Sequence, residues 1–241
     1  VLAKTAQKEI IKATEALWRD KCSSPELAAY LNRKKEKGHG LADWVEEQTV
    51  EMLEAHFGRR ATHQLDQKTK DGERRARSMG DIWIASGGIF NPVNIKTGVK
   101  KPGRSTGQPN LVSLRKLTEA VYQHWIDSYY LLFVHFVADD PPTSHVALAD
   151  LLHIVEDYAH FDSGTGQLML KAGKFDDPPA PIYSAVDPQT AIDRLLVIRE
   201  EGDRSLMENR AATLAETIEK VADFDPEAPI DQEGLGLDTA R

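Results

Sequence analysis

The sequence predicts an α/β fold: a central mixed β-sheet flanked by helices, with extra helices towards the N- and C-terminal ends. Three observations predict it. Tyr129 to Val137 is apolar almost without interruption, the pattern of a strand covered on both faces. Ile82 to Thr97 alternates as two strands joined at Ser86-Gly87-Gly88. Stretches with apolar residues three or four apart precede and follow these strands.

Taken in order, Lys4 to Arg19 carries Ile10, Ile11, Ala13, Thr14, Leu17 and Trp18 at helical spacing. Ser24-Pro25 then signals a second helix, with Ser24 as N-cap and Pro25 at the first helical position. Leu27, Tyr30 and Leu31 form its buried side, and the run Arg33 to Lys37 falls at its end, where cations complement the helix dipole. A third helix is expected from Leu41 to Phe57, with Leu41, Trp44, Val45, Gln48, Met52 and Ala55 as its stripe, ended by Gly58.

The polar stretch to Met79 reads as a loop, and so does Val99 to Pro109. Leu111 to Trp125 returns to helical spacing through Leu114, Leu117, Val121 and Trp125. Val146 to Ile154 is expected as a short strand or helix, and Gly166 to Leu170 as a last edge strand. Asp187-Pro188 opens a long helix to about Ala222, which Gly202 is expected to divide.

A chain of 241 residues, 41% hydrophobic and 28% charged, has the composition of a soluble globular domain. We expect one domain over residues 1–224, with its core at about 41–175 and a helical part at about 187–222; the acidic, proline-bearing stretch 225–241 reads as disordered. No apolar run approaches the ~18 residues of a membrane span, and Val1 to Lys12 lacks a signal-peptide core. The single cysteine, Cys22, rules out an intrachain disulfide and a cysteine-rich zinc site. A cytoplasmic location without membrane contact is the expectation.

The net charge of −8 is unevenly spread. From Arg59 to Lys116 there are 13 Lys/Arg against 4 Asp/Glu, a local +9, which leaves −17 for the remainder. A local positive field suits a polyanion whatever the total charge. Within it, Asp81 opens the first strand of the hairpin. In the second strand, Asn94 and Lys96 share a face opposite Val93 and Ile95, because side chains alternate with period two.

An acid, a metal-competent amide oxygen and an amine gathered in this way match the needs of metal-assisted phosphodiester hydrolysis. Such a reaction requires an activated water and offset of the charge that develops on phosphate. Magnesium, with Mn²⁺ as a substitute, prefers oxygen ligands. Asp81, the Asn94 side chain and the Ile95 carbonyl are the candidate ligands, and Lys96 the candidate for orienting water.

Asp81 followed by Asn94-Ile95-Lys96 resembles the motif of the PD-(D/E)XK nucleases, the fold family that holds most type II restriction endonucleases. The resemblance covers roughly Gly80 to Thr97, and the order helix, hairpin, helix, buried strand is similar to that family's core. It implies a restriction-endonuclease-like core and a catalytic set of Asp81, Asn94 and Lys96, with Glu47 as a further acid from the preceding helix, beside Glu46 and Glu51. Gly80 stands where the family often has proline, and Asn94 where it usually has Asp or Glu. The amide leaves the site one charge short; on charge alone, an aspartate at 94 would strengthen it.

The implied function is a Mg²⁺-dependent type II restriction endonuclease, a homodimer cutting double-stranded DNA. Alternatives are a structure-specific repair or recombination nuclease of the same fold, and a non-catalytic DNA-binding protein with a decayed site. Candidate DNA contacts are Gln64, Lys68, Lys70, Arg74, Arg75 and Arg77 before the hairpin, and Lys100, Lys101, Arg104, Ser105, Gln108 and Asn110 after it. Arg suits guanine, and Gln or Asn suits adenine. The eight histidines show no metal-ligand spacing, and His135 within the apolar strand reads as a packing residue.

Overall fold

The computed structural model describes residues 1–32, 39–63, 79–101, 107–139 and 141–222. The chain forms one compact unit over Val1–Asp203, and a second unit begins at Arg204. Helices α1 (Lys4–Lys21), α2 (Pro25–Asn32) and α3 (His39–Phe57) come first. Strand β1 (Ala61–Thr62), hairpin strands β2 (Ile82–Ser86) and β3 (Ile89–Lys100), β4 (Asn110–Ser113) and helix α4 (Leu114–Tyr122) follow. Then come β5 (Tyr130–Val137), β6 (Thr143–Asp150), α5 (Leu151–Tyr158), β7 (Ala159–Asp162), β8 (Gln167–Leu170) and α6 (Pro188–Ala222).

The main sheet is mixed and five-stranded, in the order β1-β2-β3-β5-β6. The β2–β3 hairpin is antiparallel and turns at Gly87 and Gly88, both at positive φ. β3 and β5 run parallel, from Val93 opposite Tyr130 to Lys100 opposite Val137, and β6 returns antiparallel to β5. A parallel neighbour requires a crossover connection, and here it contains α4.

β5 is the central strand its composition implies. Tyr130, Leu132, Val134 and Phe136 pack on one face with α1 and α3 residues such as Ile10, Trp18, Val45 and Leu53. Leu131 and Phe133 pack on the other with Leu117 and Val121 of α4, Leu152 and Val155 of α5, and Leu195 of α6. Each fully buried side chain of this size contributes roughly 1.5–3 kcal/mol, so two filled faces make β5 the anchor of the sheet.

Trp18 fastens the helical layer to it. Its ring meets Trp44 and Phe136 edge-on, at centroid distances of 5.4 and 5.3 Å, and its Nε1–H donates to Thr49 Oγ1.

The helix starts follow the sequence signals. Ser24 Oγ accepts from the Leu27 amide, and Asp187 accepts from the Thr190 amide and hydroxyl. These are the bonds an N-cap is expected to make.

Several expectations need correction. Leu111 to Ser113 is not helical: it is β4, paired with β8, and the helix begins only at Leu114. The apolar pair Leu111-Val112 fits both periods, and burial against a second sheet decides for the strand. β8 is not an edge, because it lies between β4 and β7 in a three-stranded sheet. The stretch Val146 to Ile154 is both alternatives in succession, the end of β6 and the start of α5. β3 extends through Val99 to Lys100 because β5 offers it a partner over its whole length.

α6 is continuous through Gly202 rather than divided there. That glycine serves close packing: a Cβ on it would meet the Phe161 carbonyl oxygen, and Phe161 Cβ and Cδ1 at 3.0 Å. Arg33 to Lys37 and the tail 225–241 lie outside the described residues. Among the described residues, no helix is long and apolar enough to cross a membrane.

Gly202→Ala is therefore expected to destabilise unit 1 by about 1–3 kcal/mol despite alanine's higher helix propensity, since the obstacle is backbone. Urea unfolding followed by circular dichroism measures the change, and an unchanged or raised midpoint contradicts the close approach.

Candidate active site

The site begins where β2 begins. Gly80 lies so close to β3 that a Cβ would stand 3.0 Å from Pro92 Cβ and 3.1 Å from the Val93 nitrogen. The Asp81 amide continues the ladder by donating to the Val93 carbonyl at 3.0 Å. Its side chain then turns onto the next turn of the pleat, where Oδ2 accepts from the Ile95 amide at 2.6 Å. Ile95 was expected to offer its carbonyl; the contact it makes with Asp81 is through its N–H.

Two further charges converge on Asp81. Lys96 follows Ile95 on β3 and interacts electrostatically with both Asp81 and Glu46. Glu46 comes from α3, whose buried positions are Val45, Thr49, Leu53 and Phe57, four residues apart. At ~100° per residue, Glu46 flanks that stripe and Glu47 stands ~100° farther round. The acid coupled to Asp81 and Lys96 is accordingly Glu46, while Glu47 and Glu51 line the wall of the same cleft. The signal for Glu46 was present in the sequence, but only if Thr49 is counted as a core position.

The protonation equilibria reflect this enclosure. Burial pushes the Asp81 carboxyl up, and the Lys96 ammonium and the Ile95 amide oppose the shift. Burial pushes the Lys96 ammonium down, against the stabilising charges of Asp81 and Glu46. Glu46 keeps contact with solvent, yet burial of its carboxyl, the Asp81 charge and that of Asp43 raise it to about 7, with Lys96 opposing. Burial is the larger reason that this second acid resists ionisation, and the neighbouring Asp81 charge adds to it.

Asn94 is nine-tenths buried, beneath this cluster. Its amide nitrogen donates to the Leu111 carbonyl at 3.2 Å and to the Tyr129 hydroxyl at 2.8 Å. Its carbonyl oxygen, Oδ1, is buried without a hydrogen-bond partner among the described residues. A buried amide oxygen left in this state costs about 1–3 kcal/mol unless a ligand satisfies it. Asp81, Glu46 and Asn94 Oδ1 are all oxygen donors, the kind that a hard divalent cation such as Mg²⁺ prefers.

The cluster opens on a cleft of about 690 Å³ lined by Asp43, Glu46, Glu47, Val50, Glu51, Glu54, His63, Gly80 and Asp81. His63 donates its backbone N–H to Glu54 Oε1 and places Nδ1 2.7 Å from the same oxygen, tying the end of β1 to α3.

The other expected contacts are less tightly grouped. Gln108 and Asn110 are exposed, Asn110 at the start of β4. Lys101 donates to the Leu31 carbonyl, and Lys100 lies 3.8 Å from Asp176, so both hold the far end of β3 against neighbouring segments. Gln64, Lys68, Lys70, Arg74, Arg75, Arg77, Arg104 and Ser105 lie outside the described residues. His135 packs as expected, its Nε2 3.3 Å from Asp176 and its ring against Phe175. Tyr129, a strand residue by its sequence, holds the Asn94 amide from within the core.

No protein-family model matches the chain, and no curated protein matches it.

The Glu46 carboxyl should titrate in ¹³C spectra with a midpoint near 7, against the 4.5 of an unperturbed glutamate. Lys96→Met should move the midpoint up and Asp81→Asn should move it down, because the first removes an attraction and the second a repulsion. The folded state then binds more protons than the unfolded state between about pH 4.5 and 7, so stability falls as pH rises through that window. Glu46→Gln should flatten the fall; melting temperatures recorded across the window provide the check.

Proposed function

We propose that this chain is a divalent-metal-dependent endonuclease that hydrolyses phosphodiester bonds in double-stranded DNA, of the type II restriction class. One observation carries the reading: Asp81, just before β2, Lys96 of β3 and Glu46 of α3 form a single electrostatic cluster, and Asn94, two residues before Lys96, keeps an orphaned oxygen. The surrounding frame supports it. The motif strand β3 lies between an antiparallel hairpin partner and a parallel strand reached through a helix, in keeping with the PD-(D/E)XK resemblance.

Asp81, Glu46 and Asn94 would hold Mg²⁺, which when bound supplies Lewis acidity and lowers the pKa of a coordinated water. The chain's own residues do the rest. Asp81 is fixed by the Ile95 amide, so one of its oxygens is committed to the backbone and the other is available to the site. Lys96 offers an ammonium donor, its charge favoured by two carboxylates, to the attacking water and to the phosphate oxygens on which charge accumulates. Low solvent access around Asp81 and Lys96 strengthens each of these interactions.

On this reading a cation would serve binding as well as chemistry. Six carboxylates, from Asp43, Glu46, Glu47, Glu51, Glu54 and Asp81, face it and repel a phosphate backbone. Cations at the site and the basic composition of residues 59–116 supply the compensating charge. Sequence reading falls to the amide and arginine side chains after β3, among them Arg104, Gln108 and Asn110. A homodimer would match its two-fold symmetry to a palindromic site.

Lys96→Ala should lower Mg²⁺-dependent cleavage by about 10²–10³-fold or more while DNA affinity changes little. Supercoiled and linear phage DNA are the substrates, and a gel-shift assay with Ca²⁺ measures affinity. Discrete bands from the unmutated chain identify sequence-specific cutting; a smear or a preference for branched DNA assigns the structure-specific alternative. Full activity in Lys96→Ala, or no cutting by the unmutated chain at any divalent concentration, removes the proposal.

A further inference from the structure

We propose that Tyr129 is a positioning residue that locks the Asn94 amide with Oδ1 available to a divalent cation, making Asn94 a required neutral ligand and not a decayed acid. The inference rests on the metal-dependent reading above and assigns two residues within it.

The directions of the hydrogen bonds can be deduced without seeing a proton. Tyr129 Oη lies 2.5 Å from the Met79 carbonyl and 2.8 Å from Asn94 Nδ2. A carbonyl only accepts, so the phenol's single proton goes to Met79. The phenol oxygen must then accept from Asn94, which requires the NH₂ end of the amide at that position. Leu111 makes the same demand: its carbonyl lies 3.2 Å from Nδ2 and also only accepts. Two acceptors claim both amide protons, and the carbonyl end of Asn94 is left without a partner among the described residues.

Tyr129 is itself immobile. It is fully buried, and its own amide donates to Asp150 Oδ1 at 3.0 Å, the oxygen that also caps α5 through Leu152. Asp81 lies close enough for its charge to act on the phenol, so the lock and the acid share one locality.

The same geometry excludes a carboxylate. An aspartate at 94 would place an oxygen where Nδ2 now stands, facing the Leu111 carbonyl with no proton between them. The second oxygen could not be ionised without that repulsion, so the extra charge that the motif suggests is not gained. The second negative charge of the donor set comes from Glu46 on α3.

The test uses the full chain with Mg²⁺ and Mn²⁺ alone as probes. In the unmutated protein, Mg²⁺ should shift the Asn94 side-chain ¹³Cγ and ¹⁵Nδ2 signals, which a purely structural amide would not show. Calorimetry with Mn²⁺ should give affinities about 10–100-fold weaker for Tyr129→Phe, the range for losing a group that orients a ligand, with the far-ultraviolet spectrum preserved. Asn94→Asp should also bind Mn²⁺ more weakly than the unmutated chain. An Asn94 signal unmoved at saturating Mg²⁺, undiminished affinity in Tyr129→Phe, or tighter binding in Asn94→Asp overturns the inference. If Tyr129→Phe does not fold, the Asn94 signal and Asn94→Asp decide. Asp81→Asn separates the two levels: loss of Mn²⁺ binding there, with Tyr129→Phe unaffected, discards the lock and keeps the metal site. Equal binding by Asp81→Asn and the unmutated chain discards the site itself.

Discussion

The parallel pairing of β3 with β5 is the constraint from which the rest of the molecule follows. β5 is apolar on both faces, so helices must cover both, and whatever strand pairs with it is drawn into the same enclosure. β3 supplies Val93 and Ile95 to one core, as its neighbour demands. Its alternate residues, Asn94 and Lys96, put polar side chains on the opposite face, Asn94 buried and Lys96 half-buried. Polar groups placed there must be satisfied by other protein groups, because water is scarce. Asp81, Tyr129 and the Leu111 and Met79 carbonyls are those groups, and the site is largely a consequence of their meeting.

That origin explains which parts were legible in the sequence. Period-two alternation fixed the shared face of Asn94 and Lys96, and the unbroken apolar run marked β5 as central. The Ser24 and Asp187 caps are local chemistry and were readable in the same way. Tyr129 was not, because nothing in its neighbours reveals that a phenol at one end of β5 will meet a carbonyl fifty residues earlier. Glu46 was hidden for a different reason. The orientation of α3 depends on Thr49, a polar residue buried by its bond to Trp18, and hydropathy alone turns the helix so that Glu47 faces inward. β4 was misread as helix because a short apolar pair fits either period until a partner strand is known, while β8 was readable as a strand and only its place between β4 and β7 was not.

Charge is the other quantity that changed meaning between chain and fold. Along the sequence, the hairpin sits in a segment of net +9, which suggests a basic groove. In space, the acids of α3 reach the hairpin first, and the described wall of the cleft is acidic. Six of the thirteen cationic side chains of that segment lie outside the described residues, whereas the cleft wall draws its acids mainly from α3. An acidic pocket concentrates cations and offers little to a bare phosphate, whereas a basic segment attracts the polyanion over a longer range.

This separation bears on the protonation states. With Asp81, Glu46 and Lys96 together, one negative charge is in excess, and burial makes that excess costly. The cluster relieves it by holding a proton near neutrality, on Glu46. A divalent cation relieves it by direct neutralisation and so competes with that proton. On the proposed reading, metal affinity would be linked to pH through Glu46 and would rise as pH rises through about 7. Asn94 contributes to this linkage by carrying no charge. A third carboxylate would deepen the excess in a pocket already resisting two, whereas the neutral amide adds no charge to it.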